Sequence, residues 1–296
     1  MTLPVSGPIS LNNVNVELGL SGTTSINMNQ ASVRTLFAVP SGAISMSNGY
    51  GKSNRVAATA TILTDTSNYT VNTAKAPGYA AGTTDFTLTI NNGVFVSSSS
   101  TGSYAMTVDT SWAPGDTVSI VNNGTIVGRG GNGGAGGTDT SPPISGNPGS
   151  SAGPALLVQR AINLTNGSGR IAGGGGGGGG GALGDYPPTC SFGGGGGGGG
   201  GIGVSSGGNR GNWNGQNFGQ PGSAGTLSAA GPGGSGYPLS GPGGSGGGYG
   251  SSGSNGSGTP ASGGGRGSGG AAGACIVGNS NITYVGPTGN RNGSIS

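Results

Sequence analysis

Residues 173–201 read GGGGGGGGGALGDYPPTCSFGGGGGGGGG. The two glycine runs, 173–181 and 193–201, are each nine residues long and begin twenty residues apart. A flexible linker usually dilutes glycine with serine or charged residues, whereas these runs have no side chains and let one backbone approach another closely. Nine residues in an extended threefold helix form a rod of about 28 Å that has no internal hydrogen bonds. Because buried N–H and C=O groups need partners, we predict that both runs are central rods of a polyglycine II bundle.

Disorder is the main alternative for this composition. Glycine supplies 76 of the 296 residues and aromatic residues only 5%, as in many low-complexity chains. Disordered segments usually carry net charge, but between residues 173 and 274 the side chains charged at neutral pH are Asp185, Arg210 and Arg266. Collagen requires a strict Gly-X-Y register, which this region does not keep. The segment GPGGSG at 231–236 recurs at 241–246, a ten-residue step that favours a rod followed by a turn.

The overall composition excludes several classes of function. Hydrophobic residues make up 30% of the chain, with 5 Phe and 2 Trp, so we expect no large apolar core. Ten basic and seven acidic residues give a net charge of +3, without the basic clusters that nucleic-acid binding requires. The opening MTLPV does not resemble a signal peptide, and no apolar stretch is long enough to predict a membrane span.

Catalytic chemistry is not expected. The sequence contains no histidine, which removes the commonest general base and metal ligand. None of the seven carboxylates forms a close pair, although Asp109 and Asp116 flank one turn. Two carboxylates can hydrolyse glycosides, but this chain offers few charged groups to tune their pKa values. We therefore expect no enzymatic activity, no metal and no cofactor.

Residues 1–54 predict a small α+β module. Ser10 and Asn29 are expected to cap two short helices. Alternating apolar residues at 26–28 and 44–46 predict short strands. The apolar residues expected on the inner faces of the helices, and the candidates for docking to a partner, are Leu11, Val14, Leu18, Val33, Leu36 and Phe37. Such a module is too small to be very stable alone, so it either completes itself on a partner or caps the next domain.

Residues 55–128 predict an all-β domain. Thr and Val alternate with other residues in several runs, and Asn-Gly turns separate them. The motif at 90–96 (INNGVFV) returns at 121–127 (VNNGTIV), with a looser echo at 164–171. Asn-Gly between β-branched residues favours a tight turn with positive φ, and recurrence at wide spacing indicates stacked coils. We expect a β-sandwich or a β-solenoid.

Residues 129–285 predict alternating rods and loops, with strands returning at 155–171 and 276–284, before a polar tail at 286–296. The segment at 128–137 is the first rod, and the loops are expected near 185–192, 209–220, 237–240 and 249–262. A bundle of glycine rods has no side-chain interior, and aromatic residues on loops are typical anchors of recognition surfaces; alternatively, they cover the bundle ends. The candidate binding residues are Tyr186, Phe192, Arg210, Trp213, Phe218, Tyr237 and Tyr249.

The two cysteines, Cys190 and Cys275, bracket much of this region. If they pair, the disulfide adds about 4 kcal/mol of stability by loop-entropy arithmetic. A chain made in a reducing cytosol keeps its thiols free, whereas a particle that leaves the cell escapes that rule. Both states stay open.

The pattern resembles the glycine-rich tail proteins of tailed bacteriophages, especially the receptor-recognising adhesins at fibre tips. The resemblance rests on the opening LPVSGPISLNNVNVELG (3–19), GAISMSNGYGKS (42–53), VNNGTIVGRGGNGG (121–134), the two glycine runs and the ending NITYVGPTGNRNG (281–293). It implies a mainly β virion protein, made in the host cytoplasm, that is not an enzyme.

The resemblance also implies partners. Residues 1–54 would dock to other fibre, tail or baseplate proteins, with a homotrimer as one assembly in the virion. Loops at the end of the bundle would contact a bacterial surface receptor, either an outer-membrane protein or lipopolysaccharide. A purely structural tail or baseplate spacer is the alternative. A cellular ice-binding glycine-bundle protein is a more remote one, which thermal hysteresis would test.

Overall fold

The computed structural model describes residues 2–140, 143–186, 191–193, 196–213, 216–217, 219–237, 240–258 and 265–296. Contacts divide the chain into two compact units. Unit 1 comprises Met1–Ala60, Thr73–Thr87 and Ser111–Ser119. Unit 2 comprises Thr61–Asn72, Leu88–Thr110 and Ile120–Ser296.

Unit 1 begins with two short helices and a 3-10 helix. Helix α1 spans Leu11–Glu17, α2 spans Ala31–Phe37, and the 3-10 helix spans Met46–Gly49. The predicted cap of α1 is confirmed: the Ser10 hydroxyl accepts a hydrogen bond from the Asn13 amide at 3.2 Å. The predicted cap of α2 is wrong, because its N-cap is Gln30. Asn29 instead accepts a hydrogen bond from Arg34 Nε at 2.7 Å.

The short strands predicted in this module are also wrong. Among described residues 2–55 there is no strand. Ile26, Met28, Ile44 and Met46 are half-buried and pack against the helical core. Their alternation reflects one-sided burial on that core, and Met46 begins the 3-10 helix. An alternating apolar segment becomes a strand only if another extended segment lies beside it.

The core of the module is small. Its buried residues are Leu3, Val14, Val33, Leu36 and Phe37. A Cβ at Gly49 would lie 2.6 Å from the Phe37 ring, so glycine is required for this close packing.

The rest of the described chain is mainly β. The strands before the long glycine-rich region are β1 (Val56–Ile62), β2 (Thr66–Ser67), β3 (Tyr69–Val71), β4 (Thr84–Ile90), β5 (Phe95–Ser97), β6 (Met106–Val108), β7 (Thr117–Asn122), β8 (Thr125–Val127), β9 (Leu156–Val158), β10 (Ile162–Thr165) and β11 (Arg170–Ala172). The later ones are β12 (Gly184–Tyr186), β13 (Ser191–Gly193), β14 (Asn212–Trp213), β15 (Gln216–Asn217), β16 (Ile276–Val277), β17 (Ile282–Tyr284) and β18 (Asn290–Asn292). Two further 3-10 helices span Thr73–Lys75 and Asn279–Asn281.

Successive strands along the chain belong in turn to three larger sheets. Their strand orders are β1-β4-β7-β10-β17, β2-β5-β8-β11-β18 and β3-β6-β9-β16. In unit 2, the strands of the second and third sheets pair in parallel, as do β10 and β17. The register places Val96, Ile126 and Ile171 side by side, and all three are fully buried. In the second and third sheets, each strand therefore pairs in parallel with the one that precedes it in that sheet along the chain.

The glycines of the two Asn-Gly motifs have different structural roles. Gly93 has φ +78°, so the positive-φ turn predicted there is confirmed. Gly124 is not among the positive-φ residues, and a Cβ on it would lie 2.5 Å from the Val94 carbonyl oxygen. Glycine is required at that position for close approach, so the predicted turn geometry is wrong there. The buried Asn122 side chain links coils by donating to Asn166 Oδ1 at 2.7 Å.

Glycine-rich segments are inserted between the second and third sheets, after β8 and again after β11. Backbone hydrogen bonds of the run at 173–182 follow a period of three. Successive N–H groups of 174–182 donate in turn to carbonyl groups in 147–153, 196–202 and 251–257. Its carbonyl groups accept, also in turn, from N–H groups in three other segments: 131–137, 241–250 and 267–273. Within the described residues, 174–182 thus has six hydrogen-bonded neighbours, and the Gly173 amide donates to the Asn292 carbonyl oxygen.

The second run is surrounded in the same way. N–H groups of 196–203 donate to carbonyl groups in the segments 131–134, 220–226 and 241–247. Side chains are excluded from both runs: a Cβ on Gly177 would lie 1.9 Å from the Asn132 carbonyl oxygen, and one on Gly198 of the second run 1.9 Å from that of Gly178. Residues 194–195 of this run lie outside the described residues.

The predicted return strands are confirmed. Residues 155–171 contain β9, β10 and the start of β11, and the last strands predicted near 276–284 are β16 and β17. The segment expected as a polar tail carries β18, which pairs in parallel with β11. Ile295 forms a parallel bridge with Ile276.

Candidate functional site

The glycine segments of unit 2 have two distinct ends. At the near end they join β8, β9, β11 and β16, and the Gly128 amide donates to the Ala172 carbonyl oxygen at 3.0 Å. At the opposite, far end, Gly137 donates to Gly181, Gly181 to Gly196, and Gly196 to Gly241, at 2.8–3.0 Å. These bonds place the ends of four segments at one level.

Five connections leave the segments at the far end, counting those that the structure describes wholly or in part. The described residues of these connections, called the far-end loops, are 138–140, 143–145, 183–186, 191–193, 209–213, 216–217, 219, 237, 240 and 258. The near end has three connections, called the near-end turns, at 203–205, 226–230 and 248–250. Loops carried on a rigid scaffold are common sites of recognition. The far end is therefore the candidate functional surface.

Two antiparallel hairpins lie on this surface. In β12–β13, Asp185 pairs with Phe192 and Tyr186 with Ser191. In β14–β15, Asn212 pairs with Asn217 and Trp213 with Gln216. Strand β13 lies against β14. The structure thus brings together the segments carrying Tyr186, Phe192 and Trp213, three of the residues predicted from sequence.

The other predicted binding residues are placed differently. Phe218 lies outside the described residues. Arg210 is exposed, and Tyr237 is 42% exposed in a far-end loop. Tyr249 belongs to a near-end turn instead: its hydroxyl donates to the Leu227 carbonyl oxygen at 2.7 Å. The guanidinium of Arg170 lies 4.3 Å from the centre of the Tyr249 ring, a cation–π distance.

Sequence reasoning did not single out residues of the loop at 138–145 as binding candidates. The amide of Asp139 donates to the Asn212 carbonyl oxygen at 2.9 Å, so this loop is tied to the β14–β15 hairpin. Thr138 and Ile144 form an antiparallel bridge, and the Ile144 side chain is 52% exposed. An isoleucine inside a polar loop between two glycine segments is the signal that could have identified it.

The predicted docking residues lie mostly inside unit 1. Those that are buried in its core are Val14, Val33, Leu36 and Phe37. Leu18 is half-buried against that core, and Leu11 is 41% exposed. Of the six, Leu11 therefore presents the most surface.

Cys275 is fully buried. Its thiol donates to the Ile171 carbonyl oxygen at 3.0 Å. Burial raises the pKa of this thiol to about 11. Cys190 lies outside the described residues, so its pairing with Cys275 stays a prediction.

Two further properties of the described residues bear on other functions. No cluster of three or more His, Cys, Asp or Glu side chains suited to a metal ion occurs among them. None of their helices has the length and apolar character needed to cross a membrane.

Comparisons with known proteins gave one family and one solved structure. The sequence profile of the family described as "Phage tail fibre adhesin Gp38" matches residues 57–296, most of the chain. The chain is also similar to the crystal structure of the gp37-gp38 adhesin tip complex of the bacteriophage S16 long tail fiber, at 24% identity and a TM-score of 0.49. That match covers 99% of this chain and 100% of the other. No significant match was found among curated protein sequences.

Proposed function

Because the chain belongs to the phage tail fibre adhesin Gp38 family, and is thus a host-binding protein of a bacteriophage tail, we propose that the far-end loops are its host-contact surface. The observation that carries this proposal is the common level at which these loops leave the glycine segments. Several loops fixed at one level present one continuous surface, whereas loops scattered along a chain do not.

The scaffold we propose is a polyglycine II bundle. Its support is the period-three alternation of hydrogen-bond partners along 173–182, which matches a helix with three residues per turn. Six bonded neighbours restrain the run from every side, so the bundle holds the loops rigidly. The parallel sheets before it are proposed to be a β-solenoid, whose coils the glycine segments extend.

Residues 1–54 are proposed to dock to another tail or fibre protein. They precede the part of the chain that the family profile matches. Their exposed apolar side chains are Val5, Leu11, Val16, Leu20 and Tyr50. Val5 and Tyr50 are neighbours, because the Tyr50 hydroxyl donates to the Gly7 carbonyl oxygen and the Gly51 amide to that of Pro4. Exposed apolar groups of this kind are typical of protein contacts.

Val5→Asp combined with Leu11→Asp tests the docking proposal. The double variant should fold but no longer join the particle, since a charge placed in an apolar contact is strongly unfavourable. Wild-type incorporation of the double variant would contradict docking through these residues.

The loop proposal is tested by exchanging residues 209–220 for a Gly/Ser segment of equal length. The proposal expects weaker adsorption to host cells with an unchanged thermal midpoint. Ser228→Ala, in an exposed near-end turn, is the matched control and should adsorb normally. If the exchanged protein adsorbs like wild type, this loop does not contact the host.

A structural spacer is the second candidate, because a hydrogen-bonded glycine scaffold also suits a rigid spacer. The purified chain separates the two functions: an adhesin binds host cells directly, and a spacer does not. In either case we propose that the protein is made in the host cytoplasm and has no enzymatic activity.

A further inference from the structure

A polar pocket lies at the base of the β14–β15 hairpin. Its volume is about 400 Å³, and it is lined by Asn209, Arg210, Asn212 and Pro221. This volume is within the range of about 300–1,000 Å³ that is usual for small-molecule sites. Among the described residues that line the pocket, none has a large apolar side chain, unlike the aromatic anchors of protein–protein contacts.

Residues 136–139 hold the backbone of this pocket in place. The Asn209 carbonyl oxygen accepts from the Gly136 amide at 2.9 Å, and the Asn212 carbonyl oxygen accepts from Asp139 at 2.9 Å. The Asn212 amide donates to Thr138 Oγ1 at 3.4 Å. A ligand would therefore meet side chains whose backbone is already in place, which reduces the entropic cost of binding.

The lining side chains complement an acidic sugar. Arg210 is exposed and has no carboxylate partner among the residues that the structure describes. Its planar guanidinium suits bidentate binding of a phosphate or carboxylate. The two asparagine amides both donate and accept hydrogen bonds, as sugar hydroxyls require. The Pro221 ring offers an apolar surface for sugar C–H groups.

We propose that this pocket binds a saccharide that carries a phosphate or carboxylate group on the host surface. The inference rests on the proposed function and names the ligand class at one part of the far end. An acidic side chain of a host protein would satisfy Arg210 but would leave the two amides without hydroxyl partners. The two asparagine amides therefore favour the sugar.

Nuclear magnetic resonance titration of the full-length, ¹⁵N-labelled chain tests the proposal. The probes are glucose 6-phosphate, galacturonate, glucose and inorganic phosphate. The two acidic sugars should shift the amide signals of residues 209–212 in a saturable way, and their relative affinities tell a phosphate from a carboxylate preference. Glucose and inorganic phosphate should each bind about tenfold more weakly or worse, because each lacks one half of the recognised chemistry.

Three variants test whether the acidic sugars bind in this pocket. Arg210→Ala should lower affinity for the preferred acidic sugar about tenfold or more. Arg210→Lys should lower it by a smaller factor, because lysine keeps the positive charge but cannot form the two parallel hydrogen bonds of a guanidinium. Arg266→Ala removes another exposed arginine of the glycine-rich region and should bind like wild type. Unchanged thermal midpoints establish that the variants fold.

Three outcomes would overturn the proposal: no saturable shifts with either acidic sugar, equal binding of inorganic phosphate, or equal binding of N-acetylaspartate as a mimic of an acidic protein side chain. Host-cell binding by the purified chain is measured in parallel. If cell binding persists while the acidic sugars fail, the sugar pocket is wrong and the adhesin function stands. If cell binding is absent, the proposed function itself fails.

Discussion

The amide of Gly178 donates to the carbonyl oxygen of Gly199 at 2.7 Å, which joins the two glycine runs directly. At the same residue, the Gly178 carbonyl oxygen accepts from the Gly134 amide at 2.8 Å. Each residue of such a run thus bonds to two different segments, and its missing side chain leaves the space that they occupy. The stability of this part of the protein lies in backbone contacts, so it should respond to single methyl groups.

Gly178→Ala should strongly destabilise the protein. Its Cβ would lie 2.0 Å from the Gly244 carbonyl oxygen, and relief requires backbone shifts that cost about 1–3 kcal/mol or more. Gly248→Ala is the matched control, since a Cβ there meets nothing within 4 Å. Thermal unfolding should show a lower midpoint for the first variant and little change for the second. Equal midpoints would mean that the runs are not closely packed.

Variants of Tyr249 and Tyr237 should affect different properties: the first the stability of the fold, the second adsorption to host cells. Tyr249→Phe removes the hydrogen bond to the Leu227 carbonyl oxygen and should cost about 1 kcal/mol, without affecting host adsorption. Tyr237→Ala removes a 42% exposed ring at the far end and should weaken adsorption with little change in unfolding. Measuring both properties on both variants checks the assignment, which the reverse pattern would refute.

The ion pair between Arg55 and Asp85 should make unit 1 less stable in acid. Arg55 Nε lies 2.6 Å from Asp85 Oδ2, and this hydrogen bond holds the pKa of Asp85 below its usual value of 3.8. A lowered carboxyl pKa stabilises the fold above the unfolded pKa, and the contribution is lost as pH falls through the folded pKa. The Asp85 side chain is 44% exposed, so screening limits the effect to about 1 kcal/mol or less.

Asp85→Asn tests that effect. It should lower the free energy of unfolding at pH 7, and the difference from wild type should vanish near pH 2. A difference of equal size at both pH values would exclude the ion pair as its cause.

The Cys275 thiol should be nearly inert in the folded protein. With a pKa of about 11, its thiolate fraction at pH 8 is on the order of 100-fold lower than that of an ordinary cysteine. Iodoacetamide labelling followed by peptide mass spectrometry should be slow in native protein and fast after denaturation. Fast native labelling would contradict the buried thiol. Without reductant, a denatured chain that stays unlabelled at both cysteines would instead show pairing of Cys190 and Cys275.

Sequence reasoning identified the glycine runs because their physics is local: a backbone without side chains has few uses other than close packing. It also identified the strand returns, whereas a binding role for Trp213 stays a prediction. It did not separate Tyr249 from the other aromatic residues. The direction in which each glycine segment runs decides whether the residue after it lies at the near or the far end, and the sequence does not give that direction. The strands predicted around Met28 and Met46 failed for a similar reason, since alternation reports one-sided burial and not the presence of a neighbouring strand.

The central claim is that backbone hydrogen bonds hold the glycine segments as one rigid scaffold beneath the far-end loops. Native-state amide hydrogen exchange of residues 174–182 tests it most directly. The account predicts slow exchange along the run, comparable to that of the buried strands β8 and β11, because each of these amides donates to a neighbouring segment. Exchange at the rate of an unstructured chain would contradict it.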